Sequence, residues 1–506
     1  MQGDVFMSNI ELELQLRIVD KNQYEDIIKD PVFSDQTATF PVTEEYETTY
    51  YDTEAHQLQN AGYSFRIRKS AGALTATVKE DGQNSFGLFH RGEWNRALKQ
   101  NGPSVQAFSD LPVGKILSDI IGAEPLRPQF QTLYKRTLAN AALPGGSVVE
   151  VAANIGVISA RDKSEEICEL ELELKEGEAS GLFRLASQLS ARYPLLPEEK
   201  NKYMRGLALA GLIKTDAEKN CPDPKIVHLK KHYGQKEMSD LLENQLNEII
   251  KRQCAFLNSP SRPETAHQVR THVRRLRSIL YMMKPLFSRD GYIKVQSALR
   301  EYAALFAKLR ELDVLAKKWE RFFSTKEELE VDPSRFLKRI RSKRNAEKKQ
   351  LLAKIAQGIS TPVFMETKTF IEDFANTKEN SREDKVFGII KKRVLKNLNK
   401  FRDDYKNTDF KDPKAVHSLR IRCKKLNYSL ELLNLNQQKG PADRSKFKKL
   451  QKKLGNLCDI VNQINFIKES SQNARDKSLL YALGTFAGYQ AAAADLLRKK
   501  LRRAKI

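Results

Sequence analysis

Residues 10–19 read IELELQLRIV, and residues 167–175 read ICELELELK. Both alternate apolar and charged side chains with a period of two, the spacing of a β-strand whose faces meet different surroundings. The same period recurs in YSFRIRKS, LTATVKE and SVVEVAAN, separated by Gly, Asn and Pro turn signals. The charged face is segregated by strand. Acids fall at Glu11 and Glu13, at Glu150, and at Glu169, Glu171 and Glu173, while bases fall at Arg66, Arg68 and Lys79. A half-solvated sheet places charge on its wet face, and that is the plain account of such strands. It does not require acids and bases to sort onto separate strands. A closed barrel that holds an anion through bases and metal ions through acids would produce it. Helical patches are expected near Tyr24–Lys29 and over GLFRLASQLSARY, after the last acidic strand.

Further along, the pattern changes. Residues 206–240 read as a connector containing CPDP and the histidines His228 and His232, whose spacing lacks the Glu of a zinc-protease motif. From Ser239, read as an N-cap, apolar residues recur at helical spacing with few glycines. Charge divides the same way. Residues 1–215 hold 23 Lys and Arg against 30 Asp and Glu, a net of −7. The remainder holds 64 against 34, a net of +30, which gives the +23 of the whole chain. A field of that sign draws polyanions. At 506 residues, with 40% hydrophobic and 30% charged residues, the chain is expected to form at least two ordinary globular domains. No stretch approaches the roughly 18 apolar residues of a membrane span. The start shows no signal-peptide pattern, and Met7 stands just before the patterned sequence. Five scattered cysteines with no paired spacing suggest reduced thiols and a cytoplasmic location.

The helical half repeats itself. Aligning His267 with His417 pairs Arg270 with Arg420, Arg274 with Lys424, Arg275 with Lys425, and Leu280 with Leu430. Phe306 and Leu454 open a second matching motif, 39 and 37 residues beyond the histidines. His267, Arg270, Arg274 and Arg277 form one stripe along a helix, as do His417, Arg420, Lys424 and Tyr428, with Lys425 alongside. Like charges at i,i+4 cost a few tenths of a kcal/mol per pair (~0.2–0.5). A single such helix is a solvated basic face; a duplicated one calls for an anion. Few aromatics interleave with these stripes, so base stacking on nucleic acid has little support.

HQVRTHVRRLRS, HSLRIRCKKLNYSLELL, LRELDVL and LQKKLGNLCD, in that order, resemble the CHAD (conserved-histidine α-helical) family over about residues 236–503. Glu311 stands where its pattern usually has Asp, and the second copy carries Gln451, Gly455 and Asp459. The resemblance implies two pseudo-symmetric four-helix bundles and a basic groove for inorganic polyphosphate, lined by His267, Arg270, Arg274, Arg275, Arg277, His417, Arg420, Lys424, Lys425 and Tyr428. It also admits association with polyphosphate granules.

The front half resembles the CYTH, or triphosphate-tunnel, family over about residues 9–213. The motifs are ELELQ from Glu11, YYDTEAHQLQNAGYSFRIRKS, LTATVK, HRGEW, KRTL, VEVAANIG, ELELELKEG and NKYMRG. The resemblance implies an eight-stranded antiparallel tunnel that hydrolyses inorganic triphosphate with Mg2+ or Mn2+. Glu11, Glu13, Glu150, Glu169 and Glu171 would hold metal. Arg66, Arg68, Lys79, Arg91, Arg136, Lys202 and Arg205 would hold phosphate. Glu11, Glu13 and position 15 form the catalytic strand motif. Two positions depart from the family: Gln15 stands where it has Lys, and Asn154 where it has Asp. Gln15 can still donate a hydrogen bond, and Arg17 lies one step further along the same strand face.

The expected architecture is therefore α+β and multidomain: a tunnel with flanking helices over 7–213, a linker over 214–235, and an all-α domain over 236–506. Three functions fit. The first is a metal-dependent triphosphatase with a polyphosphate-binding helical half. The second is a tunnel that grips polyphosphate without cutting it. The third is a nucleotide or thiamine-triphosphate enzyme, for which Tyr63, Phe65 and Trp94 are the candidate aromatic contacts.

Overall fold

The computed structural model describes residues 10–34, 42–100, 102–213, 233–325, 332–377, 383–433, 444–472 and 474–504. His228, His232 and all but the last three residues of the expected linker lie outside them, as does the start of the chain up to residue 9. The chain divides into two compact units, one running to Lys219 with Lys354–Thr369 added, the other holding Asn220–Ala353 and Phe370–Ile506.

The first unit is built on ten antiparallel strands: β1 (Ile10–Ile18), β2 (Val42–Asp52), β3 (Tyr63–Ser70), β4 (Ala73–Glu80), β5 (Gln83–Ser85), β6 (Leu88–Leu98), β7 (Arg127–Ala142), β8 (Val148–Ala160), β9 (Lys163–Glu176) and β10 (Leu195–Pro197). Their order is β10-β1-β9-β8-β7-β2-β3-β4-β6-β5. An additional β1–β6 pairing, with Glu11 opposite Arg91 and Glu13 opposite Phe89, closes eight of them into a barrel. The short strands β5 and β10 attach at its rim. Closure removes every sheet edge among the eight and gives the barrel an inside and an outside. Alternation then decides what points where.

Helices cover the outside and fill one end. The short helices α1 (Tyr24–Ile28), α2 (Pro31–Ser34) and α3 (Gln57–Asn60) lie in connections, the first of them at the expected patch. Helix α4 (Pro112–Ile121) lays Val113, Leu117 and Ile121 against Phe65, Ile67, Ala76 and Val78, the outward side chains of β3 and β4. Tyr63 and Trp94 pack onto this same cluster. Helix α5 (Ala179–Arg192) matches the GLFRLASQLSARY pattern. Helix α6 (Lys202–Ala210) enters the barrel, where Leu207 and Ala210 join Tyr50, Phe130, Tyr134, Ile158 and Ile167 in one buried cluster. Gly206 permits that entry, since a Cβ there would stand 2.0 Å from the ring of Phe130.

The second unit is all helical: α7 (Gln235–Asn258), α8 (Pro263–Met283), α9 (Arg289–Leu305), α10 (Ala307–Ser324), α11 (Ser334–Ala356), α12 (Thr361–Asn376), α13 (Glu383–Lys406), α14 (Pro413–Leu432), α15 (Arg444–Gln472) and α16 (Lys477–Arg502). The first part of α12 and the end of α11 cluster with the first unit. Helix α7 begins four residues before the expected cap. Glu237 folds back so that the Gly234 N–H donates to its Oε2 at 2.9 Å, and Ser239 lies one turn inside, donating to Gln235 O. The repeat is visible in α8 and α14, which start at Pro263 and Pro413, each four residues before its histidine. The first motif copy breaks at Phe306 into α9 and α10, where the second is carried within the single helix α15. Among the described residues no helix is long and apolar enough to cross a membrane.

Candidate functional site

The inward side chains of the barrel surround a cavity of about 780 Å3. Eleven of the expected residues line it: Glu11, Glu13 and Gln15 from β1, Arg66 and Arg68 from β3, Lys79 from β4, Arg91 from β6, Arg136 from β7, Glu150 from β8, Glu171 from β9, and Lys202 from α6. Glu93, Asn95, Glu173, Lys175, Tyr50 and Tyr203 share the lining. Glu93 and Glu173 lay within quoted motifs, and their strand phase marks both as inward.

Two ion clusters organise the acids. In the first, Lys79 Nζ stands 2.8 Å from Glu11 Oε1 and 2.8 Å from Glu93 Oε2, while Arg91 Nε donates to Glu11 Oε1 at 2.7 Å and Arg91 Nη2 to Glu13 Oε2 at 3.3 Å. In the second, Arg136 Nη1 donates to Glu171 Oε2 at 2.8 Å, and Lys202 binds both Glu169 and Glu171. Gln15 joins them. Its Nε2 donates to Glu13 Oε1 at 2.6 Å and to Glu171 Oε1 at 3.3 Å, and its buried Oε1 has no hydrogen-bond partner among the described residues. The amide thus copies the bridging bonds of a lysine without its charge. Arg17 does not make up the loss, because its side chain is exposed.

Arg66 and Arg68 behave differently. Arg66 reaches Tyr50 Oη at 3.5 Å and Glu93 only at 3.9 Å. Arg68 lies over the Tyr46 ring at 4.9 Å, and among the described residues no carboxylate pairs with it. Burial, then the neighbouring Arg66, hold the Arg68 guanidinium below its ordinary range. This is the least neutralised positive charge in the barrel.

Burial is the main reason the Glu11 carboxyl is pushed up to about 8. Lys79 opposes the shift, and Glu13 and a hydrogen bond with Glu93 add to it. Glu93, its partner, is held far down: Lys79, the Glu11 bond and Arg66 outweigh its burial. Glu171 is likewise held well below the usual range, because Lys202 and Arg136 overcome burial. Burial also raises the Tyr134 hydroxyl, but Arg68, Lys202, Arg136 and Arg66 leave it lowered overall.

The structure separates some expected residues from the cavity. Glu169 and Arg205 do not line it. They bond each other at 3.0 Å, and Arg205 also binds Glu165 at 2.7 Å. Asn154 is fully buried beside Arg136 and Glu169 in register, and among the described residues neither atom of its side-chain amide has a hydrogen-bond partner. Tyr63, Phe65 and Trp94, weighed as substrate contacts, face outward under α4.

The expected metal ligands need a test of fit. Among the described residues no three His, Cys, Asp or Glu side chains form a ready metal cage, since the acids are turned onto cations. The donor chemistry does fit Mg2+ or Mn2+, being all hard oxygen. So does the charge: eight carboxylates and seven cations line the cavity. A polyanion entering that lining needs positive charge brought with it.

In the second unit the basic stripes partly converge. His267, Arg270, Arg274, Arg420 and Lys424 perturb one another, together with Arg310 from LRELDVL, a residue absent from the expected set. Burial first, then Arg274 and Arg420, push Lys424 down to about 7. Burial and Arg274 lower Arg270 to about 10, and burial and Arg310 lower His267 to about 4. Tyr428 hydrogen-bonds Arg274. Asp459 offers Arg420 a contact at 3.8 Å. Four expected residues go elsewhere. Arg275 pairs with Glu431 at 2.9 Å, Arg277 donates to Gln296 at 3.1 Å, Lys425 stands over Tyr281, and His417 lines a separate pocket of about 460 Å3 with Lys414 and Arg498.

Residues 9–207 match the CYTH domain, and residues 240–468 match the CHAD domain. The chain is a CYTH domain followed by a CHAD domain. An inorganic triphosphatase of Haemophilus influenzae is 31% identical over 163 residues, which cover 32% of this chain and 45% of that relative. The chain thus spans less than half the length of that relative. A solved CHAD domain from Ricinus communis is 18% identical and covers 57% of this chain and 98% of its own, with a TM-score of 0.46. An adenylyl cyclase candidate from Hippeastrum with a dominant triphosphatase activity is 16% identical, covering 38% and 95%, with a TM-score of 0.30. At these scores neither likeness bears on function.

Proposed function

We propose that the CYTH barrel hydrolyses inorganic triphosphate to diphosphate and phosphate with Mg2+ or Mn2+, and that the CHAD unit binds inorganic polyphosphate. The observation that carries this reading is the division of the cavity into an arginine pair that is only weakly neutralised and an acid cluster. Arg66 meets Glu93 only at 3.9 Å, among the described residues no carboxylate pairs with Arg68, and guanidinium forks suit phosphate oxygens. Across the cavity, Glu11, Glu13, Glu150 and Glu171 are the acids that would hold a divalent ion. Such an ion supplies counter-charge to the phosphate oxygens and makes bound water easier to deprotonate. Lys79, Arg91, Arg136 and Lys202 keep those acids in place and offer the remaining positive charge. Glu169 and Arg205 position Lys202 from behind.

A second reading, a tunnel that grips without cutting, is favoured by Gln15, which holds Glu13 and Glu171 but adds no charge. A charged hydrogen bond of this kind is worth about 1.5–3 kcal/mol, or about tenfold to a few hundredfold in rate. The test is phosphate release from triphosphate with Mg2+ and then Mn2+, beside Glu13→Ala and Gln15→Lys. Turnover in the parent that disappears in Glu13→Ala supports the enzyme. An inactive parent, with activity gained in Gln15→Lys, supports the binding module.

A further inference from the structure

Gln15 stands where strand β1 changes neighbour. On one edge β1 pairs with β9, Gln15 lying opposite Glu171. On the other edge its pairing with β6 ends at Leu14, opposite Leu88, and its pairing with β10 begins at Leu16, opposite Pro197. Neither of those two ladders includes Gln15. Its N–H donates instead to Gly87 O at 2.8 Å, and its carbonyl accepts from the Glu198 N–H at 2.9 Å. Two rim connections therefore fix the backbone of the residue whose amide bridges Glu13 and Glu171.

The first of these connections is strained. Phe86 and Gly87 join β5 to β6, with Ser85 opposite Leu88, and both have positive φ, 57° and 77°. That is the two-residue hairpin turn in which Asn, Asp or Gly normally comes first. Gly87 suits its place, where a Cβ would stand 2.6 Å from Gln15 O. Phe86 does not, since a bulky side chain disfavours the left-handed region. Its ring is buried edge-on against Phe364 at 5.2 Å, and Phe364 is itself fully buried. Phe364 lies on α12, in the stretch matched to the CHAD domain, but in the part of it that clusters with the first unit. The same corner grips the second connection. Thr361 Oγ1 donates to Leu195 O at 2.7 Å, and a Cβ on Gly358 would stand 2.5 Å from that oxygen. Leu195 opens β10, just before Glu198.

We propose that Phe364 is a positioning residue for the barrel site: packed on Phe86, it holds the strained turn closed, and the turn holds Gln15 against Glu13 and Glu171. Its effect on rate rests on the triphosphatase reading, and its effect on Gln15 does not. A packing contact alone stabilises a unit as a whole. This contact acts on a turn that its own sequence disfavours, so its loss is felt first at Gln15. The site of the CYTH barrel is thereby completed by a side chain from the CHAD stretch.

The test compares the full-length parent with Phe364→Ala, and with Phe364→Ala carrying Phe86→Asn as well. Backbone hydrogen exchange is read residue by residue, beside phosphate release from triphosphate with Mg2+ or Mn2+. In Phe364→Ala the Gln15 amide should exchange about tenfold faster, while the amides of β7 and β8 keep the parent's rates. The value of kcat/KM should fall about tenfold, as a small misplacement in a site produces. Asn holds the left-handed conformation unaided, so the added Phe86→Asn should return both quantities to within about threefold of the parent. A packing role predicts further loss there, because more apolar contact has been removed. Phe364→Leu, which keeps most of the buried volume, should show the single-variant pattern at about threefold and serves if Phe364→Ala does not fold. Unchanged Gln15 exchange overturns the positioning role, as does exchange that rises equally in β7 and β8. Failure of Phe86→Asn to restore Gln15 overturns the route through the turn. Faster Gln15 exchange with unchanged kcat/KM overturns the link to the site. A parent without turnover overturns the triphosphatase reading alone; Gln15 exchange then still decides the role of Phe364, with triphosphate affinity read in place of rate.

Discussion

At the scale of single residues, Glu11 is the side chain whose chemistry departs most from what its type suggests. It sits between Lys79 and Arg91, yet burial and the acids Glu13 and Glu93 hold its carboxyl up to about 8, so it keeps a proton at neutral pH. The folded protein therefore binds that proton more tightly than the unfolded chain, whose carboxyl titrates near 4.5. The stability this contributes is fully present below about 4.5 and is lost as pH rises through about 8. Thermal unfolding should show Tm falling between pH 7 and pH 9 in the parent, with a flatter profile in Glu11→Gln. Equal slopes in the two proteins would remove Glu11 as the titrating group. The inward place of Glu11 was legible from strand phase alone. Its proton was not, because the hydrogen bond with Glu93 depends on β1 meeting β6 across 80 residues. Gln15 and Asn154 show the same limit. Their identities were plain in the sequence, but only the closed barrel shows that Gln15 bridges two acids while the Asn154 amide finds no partner among the described residues.

At the scale of elements, the alternating strands and the basic helices declared themselves through period, and their partners did not. Period two names the faces of β1 and β9, but the ring closure that turns one face into an interior is a long-range pairing. Helical spacing set Arg270 and Arg274 on one stripe correctly. It could not show that Arg275 would meet Glu431, or that Lys425 would meet Tyr281, since those contacts depend on how α8 and α14 face each other. Helix α6 is the element whose placement matters most for the site, because it carries Lys202 to Glu171 while its remaining turns fill the barrel end. Gly206 is the position that allows this, with its backbone against the Phe130 ring. Gly206→Ala should force the helix outward at a cost of about 1–3 kcal/mol, the usual range for overpacking. If Lys202 serves the reaction, kcat/KM for triphosphate should fall by about tenfold or more in the same variant. Loss of stability with unchanged kinetics in the folded fraction would make α6 a plug alone.

On the scale of the whole molecule, the acidic front and the basic remainder are expected to meet their anions by different physics. The barrel cavity encloses its charges, with matched acids and bases, so added salt screens them little. The CHAD cluster is a concentration of one sign, and polyanion binding there releases counter-ions. Raising salt should weaken long-chain polyphosphate binding by tenfold or more while KM for triphosphate moves far less. A proton should accompany the polyphosphate. Lys424, pushed down to about 7 by burial and by Arg274 and Arg420, is partly neutral in the free protein at neutral pH. A polyphosphate chain laid beside it favours the charged form, so binding takes up protons, and affinity falls as pH rises above about 7. Calorimetry of polyphosphate binding at pH 7.5, in buffers of different ionisation enthalpy, should show net proton uptake in the parent. That uptake should be lost in Lys424→Met, and affinity should then depend less on pH. Uptake that persists in Lys424→Met would move the proton to another member of the cluster. No uptake in the parent would mean that the chain does not reach Lys424, and that polyphosphate is held by the outer arginines.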